Sequence, residues 1–341
     1  MAISILYLPL EFNRYFSAKK FPYPLGIGMV EGFKDVQHIT IPATYHADMW
    51  LKHVKDIVGD NKFDQVWLEV VHSQMSDEFL NWLTTIASVR VGFIVESLTI
   101  APDEFISNSI GTRRRIDNMH QKLPYLTHIV VCDERDLKTF NKPTMLGITS
   151  IPERFIKQPS GTADNGIFYG TLYGTRQEWV SALEHKLTIN PSSAEDETIF
   201  PQMFDELFGR QQSNYDKFYK NWFEIRQSVY SVWINHLNKL DGCCFLNLPH
   251  RTDILSSRVI EGMAAGKPTI SPKMNNNVDL LFTHNEDILY YNDYIEVLDF
   301  MDELINDSDF RFSIAENARA NLLENHTTKI RVEEILKFTG V

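Results

Sequence analysis

The residues best suited to chemistry lie between Cys243 and Tyr291, centred on Asp253-Ile-Leu-Ser-Ser-Arg-Val-Ile-Glu261-Gly-Met-Ala-Ala-Gly-Lys-Pro-Thr-Ile-Ser271. This stretch reads as strand, polar loop, helix with a carboxylate in its first half, glycine turn, strand. That order sets a helix amino end, an arginine and two acids at the carboxyl edge of a parallel sheet, where open α/β sheets bind nucleotides. An ionised Glu261 can accept hydrogen bonds from both hydroxyls of a ribose. Asp253 stands eight positions earlier, near the same helical face two turns away. It precedes the helix and can cap it, as can Ser256 or Ser257. The plain alternative is a solvated helix carboxylate with a capping aspartate. Arg258, with the backbone N–H groups of Ser256 and Ser257, makes an anion site at a helix amino end. Its guanidinium fork suits a diphosphate; a surface arginine is the alternative.

Other candidates are more diffuse. Gly170-Thr-Leu-Tyr-Gly174-Thr-Arg176 follows a strand and brings two glycines and an arginine to a possible ligand; it also fits an ordinary turn into a helix. Leu25-Gly26-Ile-Gly28 can open a helix towards a cleft, or serve as a structural loop. Glu69, His72, Glu96 and Ser97 stand at the ends of two strands, where this fold class does its chemistry. Arg113-Arg-Arg115 reads as a solvated helix face or a grip on an anionic acceptor. The aromatic residues of 215–233 recur every three or four positions, the spacing of a core stripe. The sequence has no Walker loop, no zinc motif and no locally supported Ser-His-Asp set.

Strands and helices that position these groups alternate along the chain. Short apolar runs at Ile3–Leu8, Gln37–Ile41, Phe63–Val71, Val89–Val95, His128–Cys132 and near Met145 read as strands. Helical patterns at Tyr45–Val58, Asp77–Ala87, Asp103–Lys122 and from Asp133 separate them. Such alternation predicts a parallel, doubly wound α/β sheet. Between Pro152 and Gly166 two prolines and two glycines mark a domain boundary. A second series follows: strands Gly166–Tyr169, Leu187–Asn190, Cys243–Leu248, Pro268–Ser271 and Ile288–Tyr291, with helices Gln177–Lys186 and Leu255–Ala265. The pattern breaks at 192–239, read as a short helix near Phe200–Leu207 and a long one from Tyr215 to Leu240. Three helices, Ile295–Asn306, Asp309–Asn325 and Lys329–Phe338, close the chain. The expected organisation is one Rossmann-like domain at 1–155, a second at 156–325 and a terminal helix at 326–341, the two domains facing across a cleft.

With 341 residues the chain suits two cores, and 43% hydrophobic with 23% charged residues is ordinary for a globular protein. A formal charge of −12 argues against a nucleic-acid partner, which demands dense lysine and arginine. A nucleotide-sized ligand is still allowed, because one arginine and a helix end suffice. The three cysteines, Cys132, Cys243 and Cys244, lack metal spacing and read as core thiols of a reducing compartment. No signal peptide and no membrane-length apolar run is visible, so a cytoplasmic protein, able to touch a membrane surface, is expected.

Residues 165–325 resemble the donor half of GT-B glycosyltransferases, the group that includes family 4 and the CgeB-like branch. Glu261-Gly-Met-Ala-Ala-Gly266-Lys-Pro268-Thr-Ile is similar to that family's Glu-Ala-Met-Ala-Cys-Gly-Thr-Pro-Val-Ile style, and Asp253, seven residues, Glu261 resembles its paired glutamates with Asp first. The resemblance implies a sugar transferred from a nucleotide-diphosphate sugar to a glycan, lipid-linked or small acceptor, with retention and without a metal or other cofactor. Glu261 would bind the donor ribose, Asp253 the sugar or its phosphate, and Arg258 with Arg176 the diphosphate. The family's phosphate-binding lysine has no clear counterpart; Lys267 and Lys273 are its substitutes. Glu96-Ser97 stand where the family has a histidine. A nucleotide-sugar epimerase of the same fold, or a degenerate binding subunit, would share these features. The terminal helix is expected to cross back onto the N-terminal domain.

Overall fold

The computed structural model describes residues 2–9, 27–42, 47–69, 75–95, 97–98, 110–170, 172, 175–189, 224, 227, 230–249, 254–273 and 281–340. These divide into two compact units. Unit 1 runs to Ile148 and resumes at Arg331; unit 2 runs from Thr149 to Ile330.

Unit 1 is built on six parallel strands: β1 (Ser4–Leu8), β2 (Gln37–Thr40), β3 (Gln65–Leu68), β4 (Val89–Ile94), β5 (His128–Val131) and β6 (Thr144–Leu146). Their order is β2-β1-β3-β4-β5-β6. Most residues of β1, β3, β4 and β5 are buried, which is why these strands are continuous apolar runs rather than alternating ones. Between them lie α1 (Ile27–Gly32), α2 (Ala47–Val58), α3 (Asp77–Ile86) and α4 (Ile110–Lys122). The Ser76 hydroxyl caps α3, accepting from the Phe79 N–H at 3.2 Å. The helix expected from Asp133 is only a 3₁₀ turn, Glu134–Lys138. Asp133 explains it: its carboxylate accepts from the Arg135 backbone N–H at 2.9 Å and from the same residue's guanidinium, a local closure that competes with a helix.

Unit 2 carries β7 (Gly166–Phe168), β8 (Leu187–Ile189), β9 (Phe245–Leu246), β10 (Thr269–Pro272) and β11 (Leu289–Tyr291), again all parallel, in the order β11-β10-β9-β7-β8. In both units the second strand lies outside the first and the third lies on its other side. The sheet direction therefore switches between β1 and β3, and again between β7 and β9. Crevices at such switch points are where open α/β sheets hold ligands. The unit 2 helices are α5 (Arg176–Leu183), a helical stretch at 230–239, α6 (Ser257–Ala264), α7 (Tyr294–Asn306) and α8 (Ser308–Asn325). Tyr230, Trp233, Ile234 and Leu237 make the buried face of the 230–239 stretch, the described part of the aromatic stripe. The remainder, and the helix expected at Phe200–Leu207, lie outside the described residues.

The last helix, α9 (Thr328–Phe338), begins in unit 2 and ends in unit 1. Its Val332 and Ile335 join Ile5, Tyr7, Trp67 and Val91 in the unit 1 core. Beyond it, the Thr339 hydroxyl accepts from the Gln65 amide at 2.8 Å, and Gln65 in turn accepts from the Trp67 indole N–H at 2.7 Å. Gln65 is thus a fully buried polar residue with both ends of its amide engaged.

Candidate functional site

The carboxyl edge of the unit 2 sheet brings together residues from four strands. β7 runs out into Tyr169 and Gly170, β9 into Asn247 and Pro249, β10 ends at Ser271 and Pro272, and β11 at Tyr291. Helix α6 starts at this edge, its amino end capped by the Ser256 hydroxyl, which accepts from the Arg258 N–H at 3.3 Å.

Two guanidinium groups converge here. Arg258 reaches from α6 across the switch point: its Nε donates to the Tyr169 carbonyl at 2.5 Å and its Nη1 to Asn247 Oδ1 at 2.8 Å. Arg176, the first residue of α5, is 2% exposed and donates from Nε to the Pro249 carbonyl at 2.8 Å. The two lie 5.2 and 6.0 Å from the centroid of the same buried ring, Phe168. A π face tolerates cations at such distances. Gly170 is what lets Arg258 in: its φ is +147°, and a Cβ there would stand 2.5 Å from Arg258 Nη2. Positive charge at a helix amino end, on a sheet's carboxyl edge, is an arrangement for an anion.

Below these arginines Glu261 is turned into the interior of unit 2, 3% exposed. Its Oε2 accepts from the Tyr169 hydroxyl at 3.0 Å and its Oε1 from the Tyr230 hydroxyl at 3.1 Å. Burial raises its pKa to about 7, against the opposing pull of the two phenols and of Arg258. The same burial, and the carboxylate beside them, hold both phenols well above their usual range. Removing one phenol hydroxyl should therefore cost more when Glu261 is ionised. Tyr230→Phe is expected to lose about 1–2 kcal/mol of stability at pH 8 and less at pH 5, read from urea midpoints.

Residues 207–337 match the model of a family described as glycosyl transferase-like. An α-glucosyltransferase solved with UDP and a DNA 13-mer shares 12% identity over 100% of each chain, with a TM-score of 0.61. Sucrose-phosphate synthase from Thermosynechococcus elongatus shares 10% over 98% of each, TM-score 0.57. Anabaena HepE in complex with UDP-glucose shares 12% over 98% of each, TM-score 0.56. The chain has the GT-B fold of these solved glycosyltransferases. No curated protein matches the chain in sequence.

Within this fold, the structure brings Arg258, Arg176, Gly170, Ser256 and Ser257 to one edge. Glu261 lies behind that edge, and its two carboxylate oxygens are taken by phenols rather than presented to a diol. Gly28 falls within α1. Asp253, Gly174, Glu96, His72 and Gly26 lie outside the described residues. Lys267 is a correction: it precedes β10 and sits at the amino end of the sheet, away from the arginines. There its ammonium donates to the Ser160 and Asn238 carbonyls at 3.0 and 3.2 Å, and burial lowers its pKa to about 8. Lys273 follows β10 at the carboxyl edge and is exposed. Ser97 is buried and bonds to Asp133, whose pKa burial would raise but which hydrogen bonds from Arg135 and then Ser97 hold below the usual carboxylate value. Glu69 is buried and accepts from the Tyr7 hydroxyl. Among the described residues no three His, Cys, Asp or Glu gather as a metal could require, and no helix is long and apolar enough to cross a membrane. Tyr169, Asn247 and Ser271 escaped the sequence reading; each is one polar residue at a strand end, where the only signal is position.

Proposed function

We propose that the protein transfers a sugar from a nucleoside diphosphate sugar to an acceptor hydroxyl. The observation that carries this is the convergence of Arg258 and Arg176 beside one aromatic ring at the sheet's switch point, within a glycosyl transferase-like fold. As the bond from the anomeric carbon to the diphosphate breaks, negative charge grows on the leaving phosphate. Fixed guanidinium donors stabilise charge where it develops, and need no reorganisation. In this reading they replace a metal, and the reaction proceeds with retention. The UDP and UDP-glucose bound to the similar structures favour a uridine donor. DNA, present with one of them, is not proposed as the acceptor, since this chain carries a net charge of −12. A glycan, lipid-linked or small acceptor, met in the cytoplasm, completes the reading.

Calorimetry tests the donor half. UDP is expected to bind at least about tenfold more tightly than UMP, because the second phosphate adds charge-assisted hydrogen bonds. Equal affinities, or no binding of UDP or GDP, would sink the proposal. A second reading, a binding subunit that no longer catalyses, is favoured by the closed Glu261 carboxylate. Product analysis separates the two: a transferase releases nucleoside diphosphate in the presence of an acceptor, a binding subunit releases none, and an epimerase converts donor without acceptor.

A further inference from the structure

Asn247 and Ser271 are polar residues in the buried layer of unit 2, 3% and 0% exposed. Burying an amide and a hydroxyl is costly unless each finds partners. Here the partners are fully specified. A guanidinium only donates, so the Asn247 atom that meets Arg258 Nη1 at 2.8 Å is the carbonyl oxygen. This turns the Asn247 NH2 group to the Ser271 oxygen, 2.9 Å away, and the Ser271 hydroxyl proton goes to the Pro272 carbonyl at 3.2 Å. The Asn247 backbone carbonyl is held as well, accepting from the Tyr291 hydroxyl at 2.9 Å. Residue 247 therefore cannot swing without breaking bonds to β10 and β11.

We propose that Asn247, oriented by Ser271, is a positioning residue that aims Arg258 at the donor diphosphate without adding a charge of its own. The inference rests on the nucleotide-sugar reading above. Its chemical content is the neutrality of residue 247. An amide oxygen fixes a guanidinium through one hydrogen bond and adds no charge to the site. An aspartate has the same size and reach, but would put a full negative charge where the amide oxygen now stands, and that charge competes with a diphosphate for the same cation. Selectivity for a diphosphate over an uncharged nucleoside would then depend on an amide that touches neither.

The test compares UDP with uridine on wild type, Asn247→Asp and Ser271→Ala by calorimetry, with thermal unfolding as the check on fold. Asn247→Asp is expected to weaken UDP about tenfold or more, to leave uridine affinity within about twofold, and to flatten the salt dependence of UDP binding. Ser271→Ala, which frees the amide to rotate, is expected to lose a few-fold in UDP affinity with uridine again unmoved. Parallel losses for UDP and uridine would show a merely structural role and overturn the inference. Unchanged UDP affinity in a folded Asn247→Asp protein would overturn it too, and leave the nucleotide reading standing. If Asp at 247 blocks folding, the Ser271→Ala ratio of UDP to uridine decides in the same way. A wild type that binds no nucleoside diphosphate overturns the nucleotide reading first and this inference with it.

Discussion

A Glu261→Gln protein is expected to be more stable than wild type at pH 8, by about 3 kcal/mol, and to lose most of that advantage at pH 5. The reason is the buried carboxyl, whose pKa rises from 4.5 to about 7 on folding. Between those two values the folded state holds a proton that the unfolded chain has released. Stability from this group is therefore complete below the unfolded value, falls as pH rises, and is gone above about 7. The gap between the two values, at about 1.4 kcal/mol per pH unit, sets the size of the effect. Glutamine has no proton to lose. Its amide can also be accommodated, since the Tyr169 and Tyr230 hydroxyls can each donate or accept. His38 and His128, whose pKa values burial lowers, act with the opposite sign, and stability from them rises with pH up to the ordinary histidine value. They are common to both proteins and cancel in the difference. Urea unfolding of both proteins at pH 5 and pH 8 measures it. Identical pH dependence would mean that the carboxylate is not buried as described. A large loss of uridine affinity in the same variant would show instead that the tyrosines step aside and that Glu261 grips the ribose after all.

Much of the fold was legible because its strands are short apolar runs spaced by helical periods. Val89–Ile94 and His128–Val131 lie inside the stretches read as strands, as do β7, β8 and β9. What a period does not encode is which distant residue meets a helix face. Glu261 can be read from the sequence as a solvated helix carboxylate, yet Gly262 beside it lies so close to the sheet that a Cβ would meet Phe245 and Thr269 at 3.0 Å. That contact commits the face, and the phenols that bind Glu261 come from positions 31 and 92 residues away. Lys267 shows the same limit in another form. It sits close to Arg258 in sequence, but an eight-residue helix is about 12 Å long and carries it to the other end of the sheet. Ser256 was legible as a cap because capping is local: the hydroxyl needs only the N–H two residues on. Asn247 was not, because its meaning depends on Arg258, Ser271 and Tyr291 arriving from three other elements.

The largest effect on binding should come from the arginines themselves. Arg258→Ala is expected to weaken UDP by about 100-fold, and Arg176→Ala by a similar factor, since a charge-assisted hydrogen bond to phosphate contributes about 1.5–3 kcal/mol. Arg258→Lys should fall between, because an ammonium keeps the charge but cannot reach the Tyr169 carbonyl and Asn247 with one planar fork. Stability will also drop in Arg258→Ala, since those two oxygens lose a donor in a buried layer, so affinity for UDP alone does not isolate the electrostatic role. Salt does. Wild-type affinity for UDP should fall as ionic strength rises, with a slope that becomes shallower when either guanidinium is removed, whereas uridine affinity should show no slope in any variant. A packing defect lowers UDP and uridine together and leaves the salt slope as it was; loss of a phosphate contact does neither. If Arg258→Ala keeps the wild-type slope, the diphosphate is bound somewhere other than the carboxyl edge of β7 and β9, and the guanidinium that crosses it is only a clasp between two strands.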